Sequence, residues 1–186
     1  MNKVKIDTNV VIYPMPVVLV GSQVKGRANF LAVAWVSRVN YKPAMIAAAL
    51  GKRHFTNSGI HENRTFSVNV PGVDLVKETD YCGLVSGDQA DKSGVFEVFY
   101  GELKTAPMIV QCPVCMECRL VSSVDLEMDT LFIGEIAASY SEEKYLTDAK
   151  LDVKKTKPFL LTMPDSNYWT LGEKLAQAWS VGRQKK

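Results

Sequence analysis

Alternating and β-branched apolar segments run along most of this chain. Residues 65–71, TFSVNVP, alternate cleanly, with Phe66, Val68 and Val70 facing one side and polar residues facing the other. Other segments rich in valine, alanine and isoleucine predict further strands. These predicted strands cover residues 10–21, 27–35, 44–50, 95–100, 108–122 and 130–140. Gly134, inside the last of them, predicts a bend or a close approach in a barrel wall.

Helical spacing is confined to three short segments. Residues 56–63 predict a helix with Thr56 as its N-cap, and residues 74–84 predict a second one. Residues 170–180 predict a terminal amphipathic helix, because their apolar residues recur at helical intervals. SRVNYKP, residues 37–43, is interpreted as a connection. Many short strands and few helices predict a mainly β fold, a barrel with helices packed outside it.

Bulk composition is that of an ordinary globular protein. The 186 residues contain 47% hydrophobic and 23% charged residues, with no composition shift that marks a linker, so we expect one domain spanning residues 1–186. The net charge of +2 argues against a nucleic-acid or membrane surface. The first residues lack the apolar core of a signal peptide, and no apolar run approaches 18 residues, so we expect a cytoplasmic protein.

Four cysteines raise the question of a metal or redox site. Cys112, Cys115 and Cys118 form the pattern CxxCxxC, which is typical of iron–sulfur and zinc sites, while Cys82 lies 30 residues upstream. In a regular strand Cys112 and Cys118 share one face and Cys115 points the other way, so the three thiols do not converge on one ion. We therefore predict reduced thiols and no metal site. A redox role for Cys112 and Cys115 stays open.

The segment GKRHFTNS, residues 51–58, concentrates cations and hydrogen-bonding side chains between two strand-like runs. If Thr56 opens a helix, the free backbone N–H groups and the helix dipole favour an anion there, with Lys52 and Arg53 just upstream. A solvated strand-to-helix turn explains the same residues. Neither a Walker loop nor a Rossmann glycine fingerprint is present, which argues against a nucleoside triphosphate. We interpret His54 as a surface or packing residue.

The order of several motifs resembles a known family. PVVLVGS, NFLAVAW, KRHFT, ENRTFSVNVP, YCGLVSGDQADK, APMIVQCPVCMECRL, LFIGEI and YWTLGE follow one another as in the flavin reductase-like, FMN-binding split-barrel family, flavoredoxin type. The resemblance covers nearly the whole chain. It implies a Greek-key split β-barrel with a few peripheral helices. It also implies a homodimer that binds FMN non-covalently near the dimer interface.

The resemblance also implies roles for individual residues. The contacts to the ring and its neighbourhood fall on the second strand: Asn29, Ala32, Val33, Ala34 and Trp35. The contacts to the phosphate fall on GKRHFTN: Gly51, Lys52, Arg53, Thr56 and Asn57. Three further residues approach the flavin from the same or the facing subunit: Gly83, Ser86 and Lys92. Tyr168 in SNYWTLGE covers the flavin or contacts a partner subunit. No catalytic residue is assigned.

Four functions remain open on these residues. The first is an FMN-binding redox protein that transfers electrons to or from a partner protein, and its alternative is an NAD(P)H:flavin oxidoreductase whose flavin dissociates. The third is a metal-binding or thiol-sensing module built on CPVCMEC. The fourth is a non-catalytic barrel that binds another phosphorylated compound. The family resemblance favours the first, so we predict FMN as the cofactor.

Overall fold

A computed structural model describes residues 2–9, 12–163 and 165–184. Residues 10 and 11 of the first predicted strand lie outside these ranges. The strands are β1 Met15–Pro16, β2 Val18–Val24, β3 Arg27–Val33, β4 Val36–Asn40, β5 Met45–Gly51, β6 Thr65–Val70, β7 Val98–Phe99, β8 Met108–Ile109, β9 Val114–Asp125, β10 Asp129–Tyr140, β11 Leu146–Thr147, β12 Lys150–Leu151, β13 Phe159–Thr162 and β14 Asn167–Thr170. The helices are α1 Thr56–Asn63, α2 Val76–Leu84 and α3 Val153–Thr156, with 3₁₀ turns at Val73–Leu75, Glu143–Tyr145 and Val181–Gln184.

A seven-stranded antiparallel sheet forms the body of the molecule. Its strand order is β3-β2-β6-β9-β10-β5-β4, and a smaller sheet joins β1, β13 and β14. The long β9–β10 pair shifts register twice, between Ile133 and Gly134 and between Ile136 and Ala138. Such bulges bend strands and help a sheet to curl. Gly134 packs so closely against the Phe66 ring that no side chain would fit there, which confirms the predicted close approach.

Two hydrophobic clusters pack on the two faces of this sheet. Phe66 and Phe132, both fully buried, lie in one cluster, and Phe30 and Met108 lie in the other. Strand β2 contributes side chains to both clusters, because successive side chains along a strand point to opposite faces of the sheet. Burying each large apolar side chain stabilises the fold by about 1.5–3 kcal/mol. The structure thus confirms the predicted mainly β architecture with few helices.

Several predicted element boundaries were wrong. The predicted connection at residues 37–43 contains strand β4, because its backbone pairs with β5 and needs no buried side chains for that. The predicted strand 108–122 is divided into β8 and β9 by a turn around Cys112 and Pro113. The predicted strand 95–100 shrinks to Val98–Phe99. Thr56 is the first helical residue and not the N-cap, which is Phe55.

The predicted C-terminal helix 170–180 is wrong. Residues 167–170 form β14, and residues 171–177 have no regular secondary structure. All described residues from 165 to 183 are exposed. A short helix is marginal in water without a packed apolar face, and this segment has no such face on its own chain. Among the described residues, no helix is long and apolar enough to cross a membrane.

Candidate functional site

Two adjoining cavities beside β3 form a continuous feature, which we call the groove. Leu31 and His54 line both cavities. The larger cavity has a volume of about 350 Å³ and is also lined by Ala32, Val33, Ala34, Trp35, Ala49, Leu50, Gly51, Asp129 and Met163. The smaller has a volume of about 140 Å³ and is also lined by Asn29, Phe55, Thr56, Gly83, Leu84, Val85, Ser86, Gly87 and Lys92. Ten of the fourteen predicted site residues thus line one groove.

The larger cavity has walls suited to a flat ring. Ala32, Ala34, Ala49 and Gly51 present small side chains, or none, so that a ligand can lie close to the backbone. Trp35 stands at the edge of this cavity with 49% of its surface exposed. The lining is mostly apolar, as in ordinary sites for organic cofactors. This half of the groove can therefore hold an aromatic system.

The smaller cavity is polar and lies at the N-terminus of α1. The buried Asn29 donates its amide Nδ2–H to Thr56 Oγ1 over 2.8 Å, which positions the hydroxyl at the helix start. Within the described chain, no backbone carbonyl accepts from the N–H groups of Phe55 and Thr56. The first N–H groups of a helix carry a partial positive charge and bind anions. This half of the groove can therefore hold a phosphate.

Lys92 supplies a buried cation to the same cavity. Only 3% of its surface is exposed, and Nζ donates to the carbonyls of Phe30 at 3.0 Å and Cys82 at 2.8 Å. Burial lowers the pKa of this ammonium, although the nearby Cys82 opposes the shift. An ammonium group has three N–H bonds, so one remains for a ligand in the cavity that Lys92 lines. The predicted contact of Lys92 with the flavin stays a prediction.

His54 is a groove residue that the sequence reasoning missed. It lines both cavities and lies between them. Desolvation by burial and the positive charge of Lys92 lower the pKa of His54, while the carboxylate of Asp129 opposes them. Both charged neighbours lie far from His54 along the chain, so no spacing in the sequence could have indicated them. A neutral imidazole at this junction can accept or donate a hydrogen bond.

Four predicted site residues do not line the groove. Lys52 and Arg53 are exposed, and the backbone N–H of Lys52 donates to the Met128 carbonyl. Asn57 is buried behind the site, where Nδ2 donates to the Gly51 carbonyl over 3.0 Å. Tyr168, on β14, donates its hydroxyl hydrogen to a carboxylate of α2. The cofactor roles of these four residues remain predictions.

The chemistry of the groove fits FMN. FMN carries a phosphate at one end and a flat heteroaromatic ring at the other, and the two cavities offer matching surroundings. Gly87 also keeps the smaller cavity compact, because an added Cβ there would collide with the Asn29 side chain. Gly83 lets α2 pack closely against β3, because a Cβ atom added at Gly83 would lie only 3.3 Å from the Cβ atom of Ala32. Several loops and strands therefore build one site with two chemically distinct halves.

The cysteines lie away from the groove lining. Cys112 and Cys115 line a separate cavity of about 210 Å³ and belong to the core cluster that contains Phe30. Cys118 belongs to the core cluster on the other face of the sheet, which contains Phe66. Cys112 and Cys118 were expected to share a face only in an uninterrupted strand, and that condition is not met, because Cys112 lies in the turn before β9. All four thiols are free and buried, and burial raises the pKa of Cys115 and Cys118 to about 12. The described residues contain no cluster of three or more metal-ligating side chains.

Comparison with known proteins identifies the family. The flavin reductase-like domain family matches residues 10–158. The crystal structure of flavoredoxin from Methanosarcina acetivorans is 55% identical, with 98% of each chain covered and a TM-score of 0.97. Flavoredoxin of Desulfovibrio vulgaris (Miyazaki F) is 32% identical, covering 96% of this chain and 100% of its own, with a TM-score of 0.87. An uncharacterised protein of Archaeoglobus fulgidus is 32% identical over 127 residues, which are 67% of this chain and 71% of its own.

These matches bear on both the fold and the site. They confirm the resemblance to flavoredoxins and the split-barrel fold predicted from the motif order. The family match includes β3, α1, α2 and β10, which are the elements that position most of the groove. The chain therefore belongs to the flavin reductase-like domain family.

Proposed function

We propose that this protein binds FMN non-covalently in the groove and transfers electrons through it. The observation that carries the proposal is the junction of an apolar cavity, walled largely by small residues, with a polar one that contains the Lys92 cation. When bound, FMN supplies the redox chemistry, because its ring accepts and releases one or two electrons. The similarity to two flavoredoxins supports the same function.

The chain's own groups orient the cofactor. The start of α1, the Thr56 hydroxyl and Lys92 provide hydrogen-bond donors for the phosphate, each charge-assisted bond contributing about 1.5–3 kcal/mol. The small side chains of Ala32, Val33 and Ala34 leave room for the ring beside the backbone of β3. Trp35 and Met163 line the same cavity and would limit the access of water to a bound ring. His54 lies between the two halves and can exchange a proton with solvent or ligand.

The alternative is an NAD(P)H:flavin oxidoreductase, in which the flavin is a substrate that leaves. The family's description as flavin reductase-like favours this alternative. A retained flavin requires slow dissociation, whereas a flavin substrate must leave between turnovers. The rate at which FMN leaves the groove therefore separates the two functions. The electron donor in either case is proposed to be a redox partner protein or NAD(P)H.

The first experiment is a visible absorption spectrum of the purified protein after desalting. Oxidised-flavin bands, with close to one FMN released per chain, support the bound-cofactor function. A colourless protein that oxidises NADH only when flavin is added supports the reductase. A colourless protein that does not bind added FMN overturns both. We also propose a reducing, cytoplasmic environment, which is supported by the four free thiols.

A further inference from the structure

Two of the four cysteines lie side by side in a cavity that the proposed function does not use. Cys112 and Cys115 line this cavity of about 210 Å³, whose other walls include the exposed residues Ser141 and Glu142. Only 5% of Cys112 and 2% of Cys115 is exposed, and both are free thiols. The first two cysteines of the CxxCxxC pattern therefore form a buried pair with free space beside it.

One carbonyl group holds the two cysteines together. The Ile109 carbonyl accepts from the backbone N–H of Cys112 over 3.1 Å and from the Cys115 thiol over 3.2 Å. The Cys115 sulfur also lies 3.8 Å from the Cys112 carbonyl oxygen. Because the Cys115 sulfur lies against the residue that carries the other thiol, a change of side-chain rotamer can bring the two sulfur atoms to the bonding distance of about 2.05 Å.

The other two cysteines have different surroundings. Cys118 follows Cys115 by three positions on β9, so its side chain points to the opposite face of the sheet, into the other core cluster. Cys82 lies on α2, where the cation that acts on it is Lys92. Neither Cys82 nor Cys118 lines the cavity. Only the first pair is therefore placed for a reaction between two thiols, and the remaining two cysteines serve as matched controls.

We propose that Cys112 and Cys115 form a reversible disulfide, so that this chain carries a two-electron thiol couple outside the groove. A disulfide has no charge, so burial in an apolar cluster does not oppose it. Burial does raise the pKa of both thiols, so the reduced pair is not stabilised as a thiolate. Thiol pairs become strong oxidants when their reduced form is stabilised, which is not the case here. The disulfide should therefore persist once it has formed.

Hydrogen peroxide is an oxidant small enough for this cavity, because a water molecule occupies only about 30 Å³ in the liquid. Cys112, the more exposed thiol, loses its proton, and its sulfur attacks one peroxide oxygen. The O–O bond breaks, and the leaving hydroxide takes up that proton to become water. The Cys115 sulfur then attacks the Cys112 sulfur; the S–S bond forms as the S–O bond breaks, and the second hydroxide takes the Cys115 proton. Two thiols lose two electrons in all, and one peroxide becomes two molecules of water.

Mass spectrometry of the folded protein tests this reaction. The protein is exposed to hydrogen peroxide at neutral pH for a series of increasing times, because a thiol with a raised pKa reacts slowly. It is then denatured and its free thiols are alkylated. We expect the loss of two hydrogen atoms, with only Cys82 and Cys118 alkylated, and the return of all four thiols after treatment with dithiothreitol. Trypsin releases Cys82 in residues 78–92 and the other three cysteines in residues 105–119, and fragmentation of the second peptide locates the bond.

Serine variants separate the pair from the other cysteines. Cys112→Ser and Cys115→Ser should each abolish the bond, whereas Cys82→Ser and Cys118→Ser should form it as completely as the unmodified protein. A bond to Cys118, or four unreacted thiols in the unmodified protein after the longest exposure, overturns the proposal. Oxidation of Cys112 to a sulfinic acid without any disulfide also overturns it, because the second thiol then does not reach the first. Circular dichroism of each variant checks that a missing bond is not caused by unfolding.

Discussion

The hydroxyl group of Thr56 connects the stability of the groove with its affinity for a phosphate. Its Oγ1 accepts from Asn29 Nδ2, so its own hydrogen is free to be donated into the smaller cavity. Thr56→Ala removes both interactions. The buried Asn29 amide loses its partner, which should lower the free energy of unfolding by about 1–3 kcal/mol. The phosphate loses a charge-assisted bond of about 1.5–3 kcal/mol, so FMN should bind about ten to a hundred times more weakly.

Two titrations measure these effects. Quenching of flavin fluorescence gives the dissociation constant of FMN, and urea unfolding of the FMN-free protein gives the stability. Thr56→Ser is the matched control, because it keeps the hydroxyl group. It should retain most of the affinity for FMN and most of the free energy of unfolding. Lys52→Ala, outside the groove lining, should change the affinity less than Thr56→Ala. If Thr56→Ala binds FMN as tightly as the unmodified protein, the placement of the phosphate at α1 is wrong.

Three further predictions concern titratable groups. Folding lowers the pKa of His54 below 6.5, so as the pH falls the unfolded chain binds a proton at this residue before the folded chain does. The free energy of unfolding should therefore decrease as the pH drops below 6.5, and it should decrease less steeply in His54→Gln. Glu117 is fully buried and accepts from two backbone N–H groups and from Tyr140, so Glu117→Ala should lose about 1–3 kcal/mol or more in urea unfolding, and Glu117→Gln less. Because burial raises the pKa of each of the four thiols, Ellman's reagent should label them slowly in the folded protein and all four after denaturation; rapid labelling would contradict this.

The sequence predicted the parts of the site that share one strand or one turn. The small residues after Asn29 and the polar segment around Thr56 are local patterns, and both lie in the groove. His54 and Asp129 could not be linked in this way, because β10 brings the carboxylate to the groove from a distant part of the chain. Lys92 was recognisable only through the family resemblance, since its sequence surroundings are those of an exposed loop.

The sequence by itself determined the mainly β character, because alternating apolar residues can bury one face only as strands. It also determined the helix over residues 56–63 and the polar turn before it. Tertiary structure alone decided that Lys92 is buried, that Cys112 and Cys115 share a cavity, and that residues 171–177 form no helix. The spacing of apolar residues along a segment indicates which side chains that segment could bury on one face. Whether a packing partner is present depends on the strand order, which brings together residues far apart along the chain.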